Sequence, residues 1–211
     1  MTLTYMDNIE LRAVQFRRRK LLASLIVMIC FLLPFVCAVW LHSNPLFYSQ
    51  VEHFGILLII IAIAGRTFSA LHIGGYKKEI LIETGPYSVV RNPLYLSTLI
   101  GAAGIGAQTS SLVMIVICTA ATAIVFGRVV AREEQYLRLK FGSAFEEYAA
   151  RVPRFIPSFS KYRDVDQLVV QPKFVYRTFL ESSCFLIAIP VIDAIELARF
   201  YGWIPDVLHL P

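Results

Sequence analysis

Apolar residues along this chain gather into long blocks instead of alternating or recurring on one face of a helix. The block 21–41 carries no charge and is about 20 residues long, which at about 1.5 Å rise per residue crosses a hydrocarbon core of about 30 Å. A second block, 54–73, is similarly long. A third, 94–107, would rise only about 21 Å, short of a full crossing. A fourth, 112–130, follows the polar turn 108–111, so the third and fourth blocks are predicted to form a helical hairpin. A fifth block, 179–197, contains Glu181, Pro190, Asp193 and Glu196, each costly or disruptive in lipid. It is predicted as a fifth membrane helix, with Arg177 and Arg199 available to pair with Glu181 and Glu196. The pattern predicts an all-α fold: a polytopic transmembrane helical bundle of about five membrane helices in one integral membrane domain, 1–211.

Local signals refine the ends of these elements. Asn92 and Pro93 suit the N-cap and first position of the third helix, since Asn accepts an amide hydrogen bond and proline needs no donor there. The short third helix would begin below the membrane surface, leaving a recess at the positive end of its dipole. Gly101 and Gly104 within it are predicted to leave a groove open to an acyl tail. After the fourth block, Leu137, Phe141, Phe145, Tyr148 and Val152 recur at spacings of four and three, opposite Arg138, Glu146, Glu147 and Arg151. This is an amphipathic helix, bent where Gly142 stops one helix and Ser143 with Glu146 offers a capping box for the next.

Composition agrees with the pattern. Of 211 residues, 57% are hydrophobic and 17% charged, against about 25% charged in an average soluble domain. The formal net charge of +5 comes from basic residues flanking apolar blocks, which favours anionic lipid headgroups as partners over nucleic acid. Arg17, Arg18, Arg19 and Lys20 precede the first block, the loop 42–53 has no Lys or Arg, and Lys77, Lys78 and Arg91 follow the second block. The positive-inside rule therefore places the amino terminus in the cytoplasm. Cys30, Cys37, Cys118 and Cys184 all lie in apolar stretches as small core residues, and His42, His53, His72 and His209 form no i, i+4 pair, so no metal site is expected.

Charged groups border the hairpin at both its ends in sequence: Arg91 before it, Arg132, Glu133 and Glu134 after it. Antiparallel helices bring such ends together, although interfacial ion pairing alone would also explain them. The order of motifs is more specific. Gly85-Pro86-Tyr87, Arg91-Asn92-Pro93-Leu94-Tyr95, Glu133-Glu134, Phe141-Gly142, Tyr148 and Val152-Pro153-Arg154-Phe155-Ile156-Pro157 together resemble the isoprenylcysteine carboxyl methyltransferase and phospholipid methyltransferase superfamily. The resemblance covers residues 66–157, and Ile73-Gly74-Gly75-Tyr76-Lys77 resembles a bacterial branch of it.

The resemblance implies S-adenosylmethionine as cofactor in a cytoplasmic-side pocket, and a membrane lipid or lipidated small molecule as acceptor. It points to a multi-pass protein of the bacterial cytoplasmic membrane. It assigns cofactor binding to Tyr87, Arg91, Asn92, Pro93, Tyr95, Glu133 and Glu134, and catalysis to Arg91, Glu134 and Arg154. Glu133 or Glu134 would accept hydrogen bonds from the ribose or amino group, Asn92 would bind carboxylate or adenine, and Tyr87 and Tyr95 would contact adenine or sulfonium. Arg91 or Arg154 would position the acceptor. The family's Arg-His-Pro reads Arg91-Asn92-Pro93 here, and asparagine keeps hydrogen bonding but cannot shuttle a proton. Where the family has a glycine two residues after Tyr95, this chain has Ser97. Membrane sterol reductases using NADPH end in a similar tyrosine and proline pattern, and a scaffold or transporter would share the spans; both stand as rival readings. An amino-terminal reporter should be labelled only from the cytoplasmic side, and extracytoplasmic labelling would reverse the orientation assigned to the whole bundle.

Overall fold

The computed structural model describes residues 45–74 and 80–203. The first predicted span, 21–41, lies outside the described residues, as do the cluster Arg17 to Lys20, His42, His209 and the segment around Lys77. The described chain forms α1 (Pro45–Gly74), the one-turn α2 (Pro86–Val89), α3 (Pro93–Ala107), α4 (Leu112–Phe141), α5 (Ser143–Arg151), α6 (Pro172–Ser183) and α7 (Ala188–Phe200), with short 3-10 turns at Phe159–Lys161 and Cys184–Ile187. Among the described residues, three stretches are long and apolar enough to cross a membrane: Ser49–Gly74, Leu112–Phe141 and Pro172–Phe200. The shorter Pro93–Ala107 packs among them, as its truncated apolar block predicts. The architecture is an all-helical membrane bundle.

Helix α3 lies between α1 and α4, and α6 closes against α1. Their shared core contains Ile59, Ala62, Ile105, Met114, Cys118, Phe185 and Ile192. The opposite faces carry Leu112, Val116, Ile117 and Ile124 outward, a surface suited to lipid. Small residues let the α1 and α3 backbones approach closely. A Cβ on Gly104 would lie 2.8 Å from the Gly55 carbonyl oxygen, and one on Gly65 would lie 2.6 Å from Ser97 Oγ. The groove expected at Gly101 and Gly104 is therefore absent. The Phe185 ring covers Gly101, with its edge 2.7 Å from a Cβ position, and Ile59 covers Gly104. Lipid tails do not compete with helices for apolar contact, so close backbone packing is the favourable use of these positions.

Two other expectations are revised. The fifth membrane element begins earlier than residue 179, at Pro172, and is broken by the 3-10 turn Cys184–Ile187. Pro190 is tolerated because it falls in the first turn after that break, where a helix lacks donors to lose. Within this element Arg177 Nε meets Glu181 Oε1 at 2.9 Å, as the spacing predicts. The bend at Gly142 is present, with φ of 55°, a conformation that costs a residue bearing a Cβ. The capping box is not. Ser143 is already the first residue of α5 and caps nothing, while Glu146 turns back to pair with Arg138. Glycine at 142 ends α4 and begins α5 in one residue, leaving no place for a serine cap.

One cation lies deep in the bundle. Arg66 on α1 is 3% exposed, donates from Nε to Ser182 Oγ at 2.7 Å, and reaches Thr98 Oγ1 and the Leu94 carbonyl from Nη1. It links α1, α3 and α6 through neutral oxygens. Gly104→Ala should destabilise the protein by about 1 to 3 kcal/mol through overpacking. Gly127→Ala, with nothing within 4 Å of its Cβ position, should be neutral or stabilise by up to about 1 kcal/mol. Thermal unfolding in detergent would compare the two, and equal effects would contradict the close α1–α3 contact.

Candidate functional site

The ends of α3 and α4 meet as the hairpin requires. Glu134, in the last third of α4, faces the residues that begin α3, 42 positions earlier in the chain. Asn92 Nδ2 donates to Glu134 Oε1 at 2.9 Å and to the Arg154 carbonyl at 3.3 Å. Arg91 Nε lies 3.6 Å from Glu134 Oε1, and Arg154 Nε lies 3.2 Å from Oε2. Two segments distant in sequence thus converge on one carboxylate of α4, whose side chain is 12% exposed. Glu133 is half-buried and takes no part, because adjacent helical positions point about 100° apart.

Asn92 occupies the predicted N-cap position but does not cap with its side chain. The amides of Tyr95 and Leu96 are taken up by its backbone carbonyl at 3.1 and 3.0 Å. The amide group is turned to Glu134 instead, where it satisfies a buried acceptor. Pro93 does occupy the first helical position.

Arg154 comes to the site because residues 85–91 and 153–163 lie side by side. The Arg91 amide donates to the Pro153 carbonyl at 2.9 Å, that of Ser158 to Val89 at 3.0 Å, and that of Gly85 to Arg163 at 2.7 Å. Ser88 Oγ accepts from the Arg163 amide at 2.9 Å and donates to the Gly85 carbonyl. Gly85 holds φ of 59°, and a Cβ there would collide with the buried His72 ring, so glycine is required on both counts. From α5, Tyr148 donates its hydroxyl to the Tyr87 carbonyl at 2.8 Å. Burial, reinforced by the nearby Glu83 carboxylate, pushes the Tyr148 phenol well above its ordinary pKa, and it remains a protonated donor throughout the physiological range.

The aromatic candidates are less accessible than the sequence suggested. Tyr87 and Tyr95 are both buried, and the Tyr95 ring packs on Phe126 at 5.2 Å between centroids, in a cluster with Val130 and Phe155. Sequence reasoning gave no site role to Arg66, the Tyr148 hydroxyl or the Pro153 carbonyl. A lone arginine inside an apolar block was the available signal for Arg66; nothing in residue type marks a backbone carbonyl.

Electrostatically, two guanidiniums against one carboxylate leave the cluster one positive charge in excess, at the positive end of the α3 dipole. Arg91 Nε and Arg154 Nε are shielded from solvent, and neither makes an aligned hydrogen bond even though both lie near Glu134. The excess charge can draw an anionic group, most directly at Arg154, whose side chain is 40% exposed.

Residues 23–144 match the phospholipid methyltransferase family. The chain belongs to that family. This phospholipid methyltransferase family member is 36% identical over 157 residues to the nickel-cobalt-cadmium resistance protein NccN of Alcaligenes xylosoxydans xylosoxydans, covering 74% of this chain and 73% of that protein. It is 35% identical to the cobalt-zinc-cadmium resistance protein CzcN of Cupriavidus metallidurans, over 74% of this chain and 72% of that one. Protein-S-isoprenylcysteine O-methyltransferase B of Arabidopsis thaliana is 32% identical over 125 residues, covering 51% of this chain and 59% of the plant protein. No solved structure matches the chain. The match to isoprenylcysteine methyltransferases agrees with the wider superfamily that the motifs resemble.

Glu134→Ala should cost about 2 to 4 kcal/mol, because it leaves Arg91 and Arg154 without their shared counter-charge and Asn92 without its acceptor. Glu133→Ala should stay within about 0.5 kcal/mol. Chemical unfolding of both variants in micelles checks the contrast, and a reversed order would remove Glu134 from the centre of the cluster.

Proposed function

We propose that the protein transfers a methyl group from S-adenosylmethionine to an amphiphilic acceptor borne by the membrane, with the Glu134 cluster as its polar site. The single observation that carries this reading is the meeting of Asn92, Arg91 and Arg154 on Glu134 at one end of the α3–α4 hairpin, in a chain of methyltransferase family. The residues fit the cofactor's amino-acid end. Under-bonded guanidinium donors suit its carboxylate, and the Glu134 carboxylate suits its ammonium group. When bound, the cofactor supplies an electrophilic methyl on a sulfonium centre.

The chain's own contribution is to bind, orient and exclude water. Arg91 and Arg154 hold anionic groups, and Asn92 fixes the rotamer of Glu134 while itself held by the Arg154 carbonyl. A carboxylate acceptor would arrive ionised and need no general base. Tyr148, kept protonated by burial, is not one. A lipid-like acceptor is supported by the apolar neighbours of the cluster, where Phe155 packs on Phe126 and Val130 of α4 beside Arg154. Tyr87 and Tyr95 support the site as packed walls. The cytoplasmic side is the expected face, since the cofactor is made there.

A second reading draws on the names of NccN and CzcN: a part in resistance to nickel, cobalt or cadmium. It is compatible with methyl transfer, and growth of a deletion strain on those metals would test it separately. For the main proposal, purified protein incubated with radiolabelled S-adenosylmethionine and total membrane lipid extract should label an organic-soluble product. Glu134→Gln should retain the fold and weaken S-adenosylhomocysteine binding by about 1.5 to 3 kcal/mol, the scale of a lost charge-assisted hydrogen bond. No calorimetric binding of S-adenosylhomocysteine by the unaltered protein would overturn the proposal.

A further inference from the structure

Beside the paired segments 85–91 and 153–163 lies a cavity of about 300 Å³, lined in part by Glu83, Ser88, Arg151, Lys161, Tyr162 and Arg163. None of the residues that meet at Glu134 lines it. Its charges are unbalanced. Arg151 is paired with Glu83, and Lys161 donates from Nζ to the Arg151 carbonyl at 2.6 Å. That leaves the lysine charge uncompensated, and among the described residues nothing pairs with the Arg163 guanidinium. The Tyr162 hydroxyl is taken by Asp164 Oδ2 at 3.2 Å, so with that carboxylate counted the cavity and its edge keep one cation in excess, with the Ser160 hydroxyl nearby, a chemistry that receives a phosphate.

The same segment carries an apolar edge. Phe155 packs against the cluster of Tyr95, Phe126 and Val130, the last two inside a stretch of α4 long and apolar enough to cross a membrane, which puts this part of the chain beside the apolar bundle. The next residue, Ile156, is 80% exposed, and Phe159, which begins the 3-10 turn ending in Lys161, is 78% exposed. Such large apolar side chains are costly in water but favourable in acyl chains. Along a few residues the surface changes from apolar to cationic, in the order that a phospholipid changes from tail to headgroup.

We propose that this cavity binds the phosphate of one anionic phospholipid, whose acyl chain lies along Ile156 and Phe159. The occupant is a lipid because the exposed apolar pair stands in the same short segment as the lining residues Ser160, Lys161 and Arg163, whereas a soluble phosphate would use the pocket alone. The volume suits a headgroup, lying at the lower end of the range of about 300 to 1,000 Å³ typical of small-ligand sites. This lipid site is separate from the Glu134 cluster and does not depend on the reaction proposed there.

The test uses the whole chain in mild detergent, titrated with phosphatidylglycerol and followed by native mass spectrometry. One phosphatidylglycerol should be retained in preference to phosphatidylcholine. The double variant Lys161→Glu, Arg163→Glu should bind it about thirtyfold more weakly, at about 1 kcal/mol for each basic residue. Lys173→Glu, an exposed basic position away from the cavity, should bind like the unaltered protein. Ile156→Ser with Phe159→Ser should weaken phosphatidylglycerol binding while leaving any weak binding of soluble glycerol phosphate unchanged. Equal retention by the double variant would overturn the proposal. So would glycerol phosphate binding as tightly as the lipid, which would make the cavity a soluble-phosphate site. Displacement of the lipid by S-adenosylhomocysteine would overturn it as well, by assigning the cavity to the cofactor.

Discussion

A carboxylate drawn out of water costs several kcal/mol unless its charge and lone pairs are met, and Glu134 is met from three directions at once. Asn92 holds one oxygen, Arg91 shares it, and Arg154 meets the other. The partners come from two places: the turn before α3 supplies Arg91 and Asn92, and the segment after α5 supplies Arg154. The carboxylate thus fixes where three stretches of chain can lie, and the arrangement around the hairpin end follows from that constraint. One carboxylate against two guanidiniums also leaves the place attractive to an anion, so the groups of the structural tie carry the charge that the proposed site would use.

The tie acts on segments already held by backbone bonding. Residues 85–91 and 153–163 exchange amide and carbonyl bonds along their length, and Tyr148 secures the Tyr87 carbonyl from α5. These are not strands of a sheet. They are two connecting segments that satisfy each other's polar groups at the edge of an apolar bundle, where unpaired amides are costly. In the bundle itself the equivalent economy is spatial: glycines on α1 and α3 bring the backbones together, and Arg66 spans three helices through hydroxyl and carbonyl oxygens.

Much of this was legible in residue order. Blocks of apolar residues of defined length specify membrane helices because the bilayer has a defined thickness, and the third block's shortness specified a short helix. The hairpin through residues 108–111 and the bend at Gly142 were equally readable, since turn and helix-stop chemistry is local. The stripe from Leu137 to Val152 found its core, with Phe145, Tyr148 and Val152 buried together. Nearness of Asn92 to Glu134 followed from hairpin geometry alone.

What residue order could not reveal were choices between partners. Asn92 had a local partner in the amides of α3 and a distant one in Glu134; the buried charge prevailed because an unmet carboxylate costs more than a helix amide that a backbone carbonyl can satisfy. Whether Gly101 and Gly104 open a groove or close one depends on what stands opposite, and Phe185 lies more than 80 positions later in the chain. Glu133 and Glu134 are the same residue type, separated only by the phase of a helix against its neighbour. Composition and the lengths of the apolar blocks thus determined a membrane bundle, its short third helix and the breaks at 108–111 and Gly142, because lipid thickness and turn chemistry act on single segments. Tertiary packing alone decided which carboxylate carries the site and which glycines are filled, because those outcomes depend on groups from other segments competing for the same space and charge.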